Sequence, residues 1–180
     1  MTLNLRIDPE HVVRDVWHAL DGLSDPEIPV VTLREMGIIR EVEHVNGNTV
    51  VVVITPTYSG CPAMEQIHDD IFSTVKALGL QVTVRTQLAP AWTTDWMSDA
   101  AKDKLKAYGI APPNRQCGAP SQQTSVIHFM RQPLKAEQAV ACPHCGSSHT
   151  FESSHFGSTA CKALYKCLDC QEPFDYFKPY

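Results

Sequence analysis

Two pairs of cysteines in the last quarter of the sequence constrain this chain more than any other feature. They are Cys142-Pro-His-Cys145 and Cys167-Leu-Asp-Cys170, and 21 residues separate them. Each CxxC unit fits a tight turn whose backbone N–H groups point at the sulfur atoms, and two such turns close a tetrahedral site. A segment of about 40 residues is too small for a sizeable core, so a metal has to supply folding free energy. The spacing therefore predicts a structural site in which Cys142, Cys145, Cys167 and Cys170 bind zinc.

Other uses of four cysteines make different demands on the sequence. Two disulfides would fit a secreted protein, but the first nine residues lack the apolar stretch of a secretion signal. A redox CxxC of the thioredoxin type would need only one pair. An iron–sulfur cluster also suits four cysteines, and that alternative stays open.

The chain has seven cysteines, and three of them lie outside this motif. Cys161 has two interpretations, a further ligand for a transient metal or cluster and a small buried hydrophobe. Cys117 lies in a segment rich in proline and glutamine, and no role follows from its surroundings. The third, Cys61, lies far from the others in the sequence.

The hydrophobic pattern divides the chain into three parts. In residues 1–110 the pattern predicts helices over 9–20, 62–78 and 99–108. It predicts strands over 38–45, 49–55 and 81–88, and a hairpin at Asn46-Gly47-Asn48. Residues 111–139 are a Pro/Gln-rich linker, and 140–180 form a zinc-ribbon-like module with strands over 150–156 and 162–166. The fold class expected is α+β, a small mixed β-sheet with helices on one face plus a C-terminal zinc ribbon with four cysteine ligands.

The charge distribution excludes several classes of partner. The net charge is −5, with 9 basic and 15 acidic residues in 1–110 and 6 and 5 in 111–180. An acidic first domain offers no field that would attract nucleic acid or anionic lipid. The longest aliphatic run, Val50–Ile54, is too short to span a membrane. We therefore expect a cytoplasmic protein with no nucleic-acid or membrane partner.

Cys61 lies in Thr55-Pro-Thr-Tyr-Ser-Gly-Cys61-Pro62, between a predicted strand and a predicted helix. Pro62 suits a first helical position, which places Cys61 at or beside the N-cap, where a thiolate is stabilised. The Thr/Ser/Gly flank favours a reactive or ligating thiol over a structural cysteine. A phosphatase loop needs arginine at position 67 and a dithiol oxidoreductase needs cysteine at position 64, but these are Ile67 and Met64. A thiol that holds a metal or cluster fits better than a catalytic one.

Two further segments of this domain each allow two interpretations. Asp25 and Glu27 belong either to an ordinary Asp-Pro-Glu turn or to a carboxylate group placed near Cys61. Trp92, Trp96 and Met97 form either a lid over the sheet or an aromatic docking surface for a partner.

These segments together resemble a known family. Asp25-Pro-Glu-Ile-Pro29, Leu33-Arg-Glu-Met-Gly37 and Thr57-Tyr-Ser-Gly-Cys61-Pro62 are similar to the small α/β domain of iron–sulfur assembly factors. With Pro90-Ala-Trp-Thr-Thr-Asp-Trp-Met97 and the segment from Phe156 to Cys167, the chain resembles the D subunits, also called J, of the phenylacetyl-CoA epoxidase system. The likeness covers residues 10–110 and 140–178.

The resemblance implies a non-catalytic accessory or maturation protein in aerobic phenylacetate breakdown. Its partners would be the oxygenase and reductase components of the epoxidase, and its cofactors a structural zinc and a transient iron–sulfur cluster. The motif match implies Cys61, with Asp25 and Glu27 close by, as the functional site and Cys161 as a further candidate. A scaffolding or regulatory component without cluster transfer is the alternative, and a homodimer that shares a cluster between two Cys61 residues stays open.

Overall fold

The computed structural model describes residues 8–113 and 139–180. Within them the chain forms two compact units: unit 1 comprises the described residues up to Tyr108 together with Tyr180, and unit 2 runs from Gly109 to Pro179. Most of the predicted linker, including Cys117, lies outside the described residues. No helix in the described ranges is both long enough and apolar enough to span a bilayer.

Unit 1 begins with a helix whose start follows from its sequence. The Asp8 carboxylate accepts the Glu10 N–H at 3.1 Å, and Pro9 occupies the first turn, where no donor is needed. The elements of unit 1 are α1 (Pro9–Leu20), β1 (Ile39–Asn46), β2 (Thr49–Ile54), α2 (Met64–Ala77), β3 (Gln81–Thr86), a 3₁₀ turn (Thr94–Trp96) and α3 (Asp99–Ala107).

The sheet of unit 1 has the order β1-β2-β3, with β2 antiparallel to β1 and parallel to β3. The parallel pairing follows from α2, which crosses over between β2 and β3. Helices α1 and α2 pack against each other, and they contact β1 and β3 respectively. Leu20, Ile67 and Ile71 bring the apolar sides of both helices into a fully buried core. The predicted fold class is confirmed.

A glycine fixes the turn that precedes β1. Gly37 has a φ of +70°, and a Cβ there would come 2.7 Å from the carbonyl oxygen of Trp96. The Trp96 ring also lies under the Arg40 guanidinium, 3.4 Å from the ring centroid. Trp92 is buried, and its Nε1–H donates to the Met36 carbonyl oxygen at 2.9 Å. These contacts favour packing within unit 1 over a docking surface as the role of Trp92 and Trp96.

Unit 2 is a four-stranded sheet in the order β4-β7-β6-β5. Its strands are β4 (Ile110–Ala111), β5 (Thr150–Ser154), β6 (Lys162–Cys167) and β7 (Pro173–Phe177). Strands β5, β6 and β7 are successively antiparallel, and β4 lies parallel to β7. Strand β7 was not predicted, although Phe174 and Tyr176 are buried alternately along it. The core of unit 2 consists of Ala111, Val140, Cys142, Ala163, Cys167, Phe174 and Tyr176.

Candidate functional site

Four cysteine sulfurs converge in unit 2, between the turn before β5 and the turn between β6 and β7. Their Sγ atoms all lie within 4.8 Å of one another. The Sγ atoms of Cys142 and Cys170 are 3.7 Å apart, and those of Cys145 and Cys167 are 3.6 Å apart. A tetrahedral ion with metal–sulfur bonds of about 2.3 Å requires sulfur–sulfur distances of about 3.8 Å. The four side chains therefore fit a single tetrahedral metal ion, with all four positions filled by protein.

The local backbone prepares these thiols for a cation. N–H groups of Cys170 and Asp169 donate to the Cys167 sulfur, and they lower the pKa of that thiol to about 7. The Glu172 N–H likewise favours the Cys170 thiolate, but burial and the neighbouring sulfur atoms outweigh it and raise the pKa of Cys170 to about 12. The Cys167 thiol therefore ionises before the Cys170 thiol, and a bound cation would displace the proton of Cys170.

A polar bridge outside the sulfurs connects the two CxxC turns. Ser147 follows the first turn and Asp169 lies within the second; the Ser147 hydroxyl donates to Asp169 Oδ2 at 2.5 Å. Asp169 Oδ1 lies 3.1 Å from His149 Nδ1, and the His149 N–H donates to Ser147 Oγ at 2.9 Å. The Ser147 hydroxyl and His149 hold the pKa of Asp169 below its usual range. The bridge was not predicted from the sequence, because only the fold brings the two turns together.

The four sulfurs differ in their exposure to solvent. Cys142 and Cys167 are fully buried in the core of unit 2, whereas Cys170 is half-buried and Cys145 is exposed. Two ligands therefore belong to the hydrophobic core and two to the surface. An ion bound by these sulfurs would therefore stabilise the hydrophobic core of unit 2 directly.

Cys161 lies apart from these four sulfurs. It is buried beside the start of β6, and its Sγ lies 3.0 Å from the Thr159 hydroxyl oxygen. A strand rises about 3.3 Å per residue, so the chain from Cys161 to Cys167 separates the two residues by about 20 Å. At that distance Cys161 does not reach the ion that the four sulfurs would hold.

Cys61 is half-buried in the loop that joins β2 to α2. Its N–H donates to the Tyr58 carbonyl oxygen at 3.2 Å, and its own carbonyl accepts the Met64 N–H at 3.3 Å. The N-cap of α2 is Ala63, so the expectation that Cys61 lies at or beside the N-cap is wrong by two residues. Pro62 and Ala63 form an extra turn before the helix. The helix dipole acts within the first turn, so it favours a Cys61 thiolate less than expected.

Asp25 and Glu27 are both half-buried in the loop after α1. The Asp25 carboxylate accepts the N–H groups of Glu27 and Ile28, both at 2.9 Å. An aspartate that bonds to the backbone two and three residues ahead stabilises a turn. These contacts favour the interpretation of Asp25 and Glu27 as part of an ordinary turn. A role for the two carboxylates beside Cys61 stays a prediction.

Comparison with protein-family models identifies the two units separately. Residues 14–86 match the model described as an iron-sulfur cluster assembly protein, and this range contains Asp25, Glu27 and Cys61. Residues 128–178 match the model described as the PaaD zinc beta ribbon domain, and this range contains the four converging cysteines.

Comparison with curated proteins and solved structures agrees with those matches. The chain is 46% identical, over 92% of its length and 92% of the relative, to a putative 1,2-phenylacetyl-CoA epoxidase D subunit of Escherichia coli K12. It is 33% identical to an "Fe-S protein maturation auxiliary factor" of Porphyromonas gingivalis, over 51% of this chain and 88% of that one. A crystal structure of a DUF59 domain from Bacillus anthracis matches with a TM-score of 0.51 and 26% identity, over 54% of this chain and 93% of that one.

Proposed function

The chain belongs to the family of the phenylacetyl-CoA epoxidase D subunits, and from this premise we propose that it is a non-catalytic accessory protein of that epoxidase. In this proposal it binds an iron–sulfur cluster, or the metal for one, and delivers it to the oxygenase or reductase component. The observation that carries the proposal is the iron–sulfur assembly match over 14–86, a range that includes Cys61.

The chemistry of the Cys61 loop suits transient binding. Cys61 is half-buried, so a partner can approach it, and a neutral loop of Thr, Ser and Gly surrounds it in sequence. One protein thiolate leaves most coordination positions of a cluster to other ligands, which favours release over permanent storage. We propose Cys61 as the cluster ligand, with Asp25 and Glu27 in its neighbourhood. A homodimer that shares a cluster remains a prediction.

We propose that the second group of cysteines has a different role from Cys61. These residues bind a structural zinc ion: Cys142, Cys145, Cys167 and Cys170. The sulfur spacing suits one ion, and closed four-thiolate sites hold zinc in ribbon modules. When bound, the ion would supply folding free energy to unit 2. These four cysteines are free thiols rather than disulfides, which agrees with the predicted cytoplasmic location.

Cys61→Ser in the complete epoxidase system tests the cluster proposal, with Cys117→Ser as the matched cysteine control. We expect Cys61→Ser to lower the iron content of the oxygenase or reductase toward the level found without this protein. The zinc content and the circular dichroism of the Cys61→Ser variant itself should stay unchanged. Cys117→Ser should behave as the wild type. Full iron occupancy with Cys61→Ser would reject cluster delivery.

A scaffolding or regulatory component is the second candidate, and exposed aromatic residues of unit 2 favour it. Phe156 is 63% exposed and Phe151 is 44% exposed. Exposed aromatic side chains are common anchors of protein interfaces. Stable co-purification of the epoxidase components, lost in a Phe151→Ser/Phe156→Ser double variant and indifferent to Cys61→Ser, would favour this function over the first.

A further inference from the structure

The sheet of unit 2 has two sides of different character. Along its central strand β6, Ala163 and Cys167 are buried in the core of the unit. Successive side chains of a strand point to opposite sides of a sheet, so Leu164 and Lys166 lie on the side away from that core. We call the open part of this side the outer face, and it consists of Phe151, Leu164, Lys166 and Pro173.

The strand register places apolar side chains around Lys166. Lys166 pairs with Phe151 of β5 on one side and with Pro173 of β7 on the other. Leu164, two residues earlier in β6, is a diagonal neighbour of both, and side chains at this spacing on one face are within reach of each other. Phe151 is 44% exposed, Leu164 is 38% exposed, and Pro173 is also exposed. Contiguous apolar surface of this kind marks a site of interaction.

Lys166 brings a positive charge to this apolar surface, and it forms no ion pair within the described parts of the chain. The other lysine on this side of the sheet, Lys162, is buried, and its Nζ lies 3.4 Å from Asp175 Oδ2. Glu152 lies on the core side, opposite Tyr165, and it accepts a hydrogen bond from the Tyr165 hydroxyl at 3.2 Å. The acidic residues of these strands therefore have other partners, and the charge of Lys166 is left for a group from outside.

A second pair of a lysine and an aromatic residue lies beside the outer face. A Cβ at Gly157 would lie 3.1 Å from Asp175 Oδ1, so this segment runs along the same side of the sheet. The preceding residue, Phe156, is 63% exposed, and Lys178 Nζ lies 4.6 Å from its ring centroid. Lys166 and Lys178 thus add positive charge to apolar surface on this side of unit 2, although the whole chain has a net charge of −5.

This combination of charge and apolar surface indicates the chemistry of a partner. An ammonium group among apolar side chains fits a carboxylate that is itself flanked by apolar residues, because the charges are complementary and the apolar neighbours exclude water. Phosphate-rich partners fit less well. The described residues of unit 2 contain no arginine, the residue that binds phosphate in a bidentate manner, and the net negative charge of the chain repels polyanions.

We propose that the outer face binds an acidic, apolar segment of the epoxidase component that this chain serves. One aspartate or glutamate of that segment pairs with Lys166, and its apolar neighbours cover Phe151 and Leu164. The proposal rests on the proposed function, because the partner is a component of the epoxidase. It makes no use of Cys61, which belongs to unit 1.

Calorimetric titration of the full, zinc-loaded chain with the separately purified oxygenase and reductase components tests this surface. We expect one component to bind the wild type and Lys166→Glu to weaken that binding by roughly tenfold or more, because like charges then face each other. Lys166→Arg keeps the charge and should retain most of the affinity. Leu164→Thr keeps a residue suited to a strand, removes apolar surface, and should also weaken binding. Unchanged zinc content and circular dichroism show that each variant is folded.

The matched control is Lys106→Glu, which reverses the charge of an exposed lysine in α3 and should bind as the wild type. Equal weakening by the two charge reversals would overturn the proposal, because only net charge would then matter. Failure of both components to bind, or full affinity in Lys166→Glu and Leu164→Thr, would also overturn it. Binding to vesicles of phosphatidylcholine and phosphatidylserine in place of either component would do the same.

The Cys61→Ser variant separates this proposal from cluster delivery. It should bind the component with wild-type affinity and lose only the delivery of iron. Full client iron with Cys61→Ser, together with weak binding by Lys166→Glu, would reject cluster delivery and leave the outer face as the docking surface. Loss of client iron with Cys61→Ser, together with full binding by Lys166→Glu, would reject the outer face alone.

Discussion

The two units of this chain are built on different sources of stability. In unit 1 most of the fully buried side chains are aliphatic, as at Leu20, Ile67 and Ile71. In unit 2 the core includes two cysteines, Cys142 and Cys167, that also belong to the candidate metal site. A hydrophobic core of unit 1's kind holds without a ligand, whereas a core that contains metal ligands depends on the ion. We therefore expect unit 1 to be stable by itself and the stability of unit 2 to depend on a bound metal ion.

Removal of metal should separate the two units most strongly. Structural zinc contributes about 10–16 kcal/mol to small modules of this kind, so a chelator should unfold unit 2 and leave unit 1 folded. Amide hydrogen exchange would show this as lost protection in β6 and β7 and retained protection in α2. Protons compete with a metal ion for all four sulfurs, so metal retention should weaken as the pH falls; the Cys167 thiol, with a pKa of about 7, is protonated after that of Cys170.

Two results would contradict this contrast. If β6 and β7 stayed protected without metal, the aromatic core of unit 2 would suffice by itself. If α2 lost protection together with them, the units would not be independent in stability. Cys145→Ser, which removes an exposed ligand and leaves the buried core intact, should reproduce the effect of the chelator in part.

A glycine substitution should affect unit 1 alone, by about 2 kcal/mol or more. Gly37→Ala places a Cβ within 2.7 Å of backbone at a residue with positive φ, and both the clash and the conformation cost free energy. Gly79→Ala is the matched control, because Gly79 has a φ of +79° but open space around its Cβ position. Urea unfolding of both variants measures the clash as their difference. Equal losses would show that Trp96 moves aside without cost.

An ion pair in unit 1 should give the smallest effect, about 1 kcal/mol or less. Lys104 Nζ donates to both carboxylate oxygens of Glu35, at 2.7 and 2.9 Å. Burial raises the pKa of Glu35, but Lys104 and the Thr32 N–H outweigh it and lower the pKa below its ordinary value. Lys104→Ala should therefore destabilise unit 1 at neutral pH, with Lys106→Ala, an exposed lysine of the same helix, as the control.

The sign of the pH effect follows from the direction of that shift. A carboxyl whose pKa is depressed in the folded state stabilises the fold above its unfolded pKa, and this contribution is lost as the pH falls through the folded pKa. The difference between Lys104→Ala and the wild type should therefore shrink in acid. A difference that stays constant from neutral pH into strong acid would show that Glu35 is not the partner that matters.

Local patterns in the sequence predicted the parts of the structure that local chemistry determines. The spacing of the two CxxC pairs correctly predicted that their four sulfurs converge, because each CxxC forms a self-contained turn. The hairpin at Gly47 was also predicted, because glycine readily takes the positive φ that such a turn requires. In the structure Gly47 has a φ of +48°. Strand β7 escaped prediction because Pro173 and Asp175 interrupt a short apolar pattern.

Features that depend on distant residues could not be predicted. The Ser147–Asp169 bridge and the burial of Thr55 arise from residues that only the fold brings together or encloses. The start of α2 was misplaced for a different reason. A proline fits the first helical position and also a turn just before a helix, so Pro62 alone does not define where the helix begins.

The unequal exposure of the four sulfurs sets the route by which the site can be damaged. An oxidant arriving from solvent meets Cys145 first, while Cys142 and Cys167 are shielded inside the core. The sulfur of Cys145 lies 3.6 Å from that of Cys167, so an oxidised Cys145 can condense with Cys167 to a disulfide that a reductant reverses. Oxidation that begins at the exposed sulfur therefore reaches a ligand of the core in one further step, while Cys142 stays shielded.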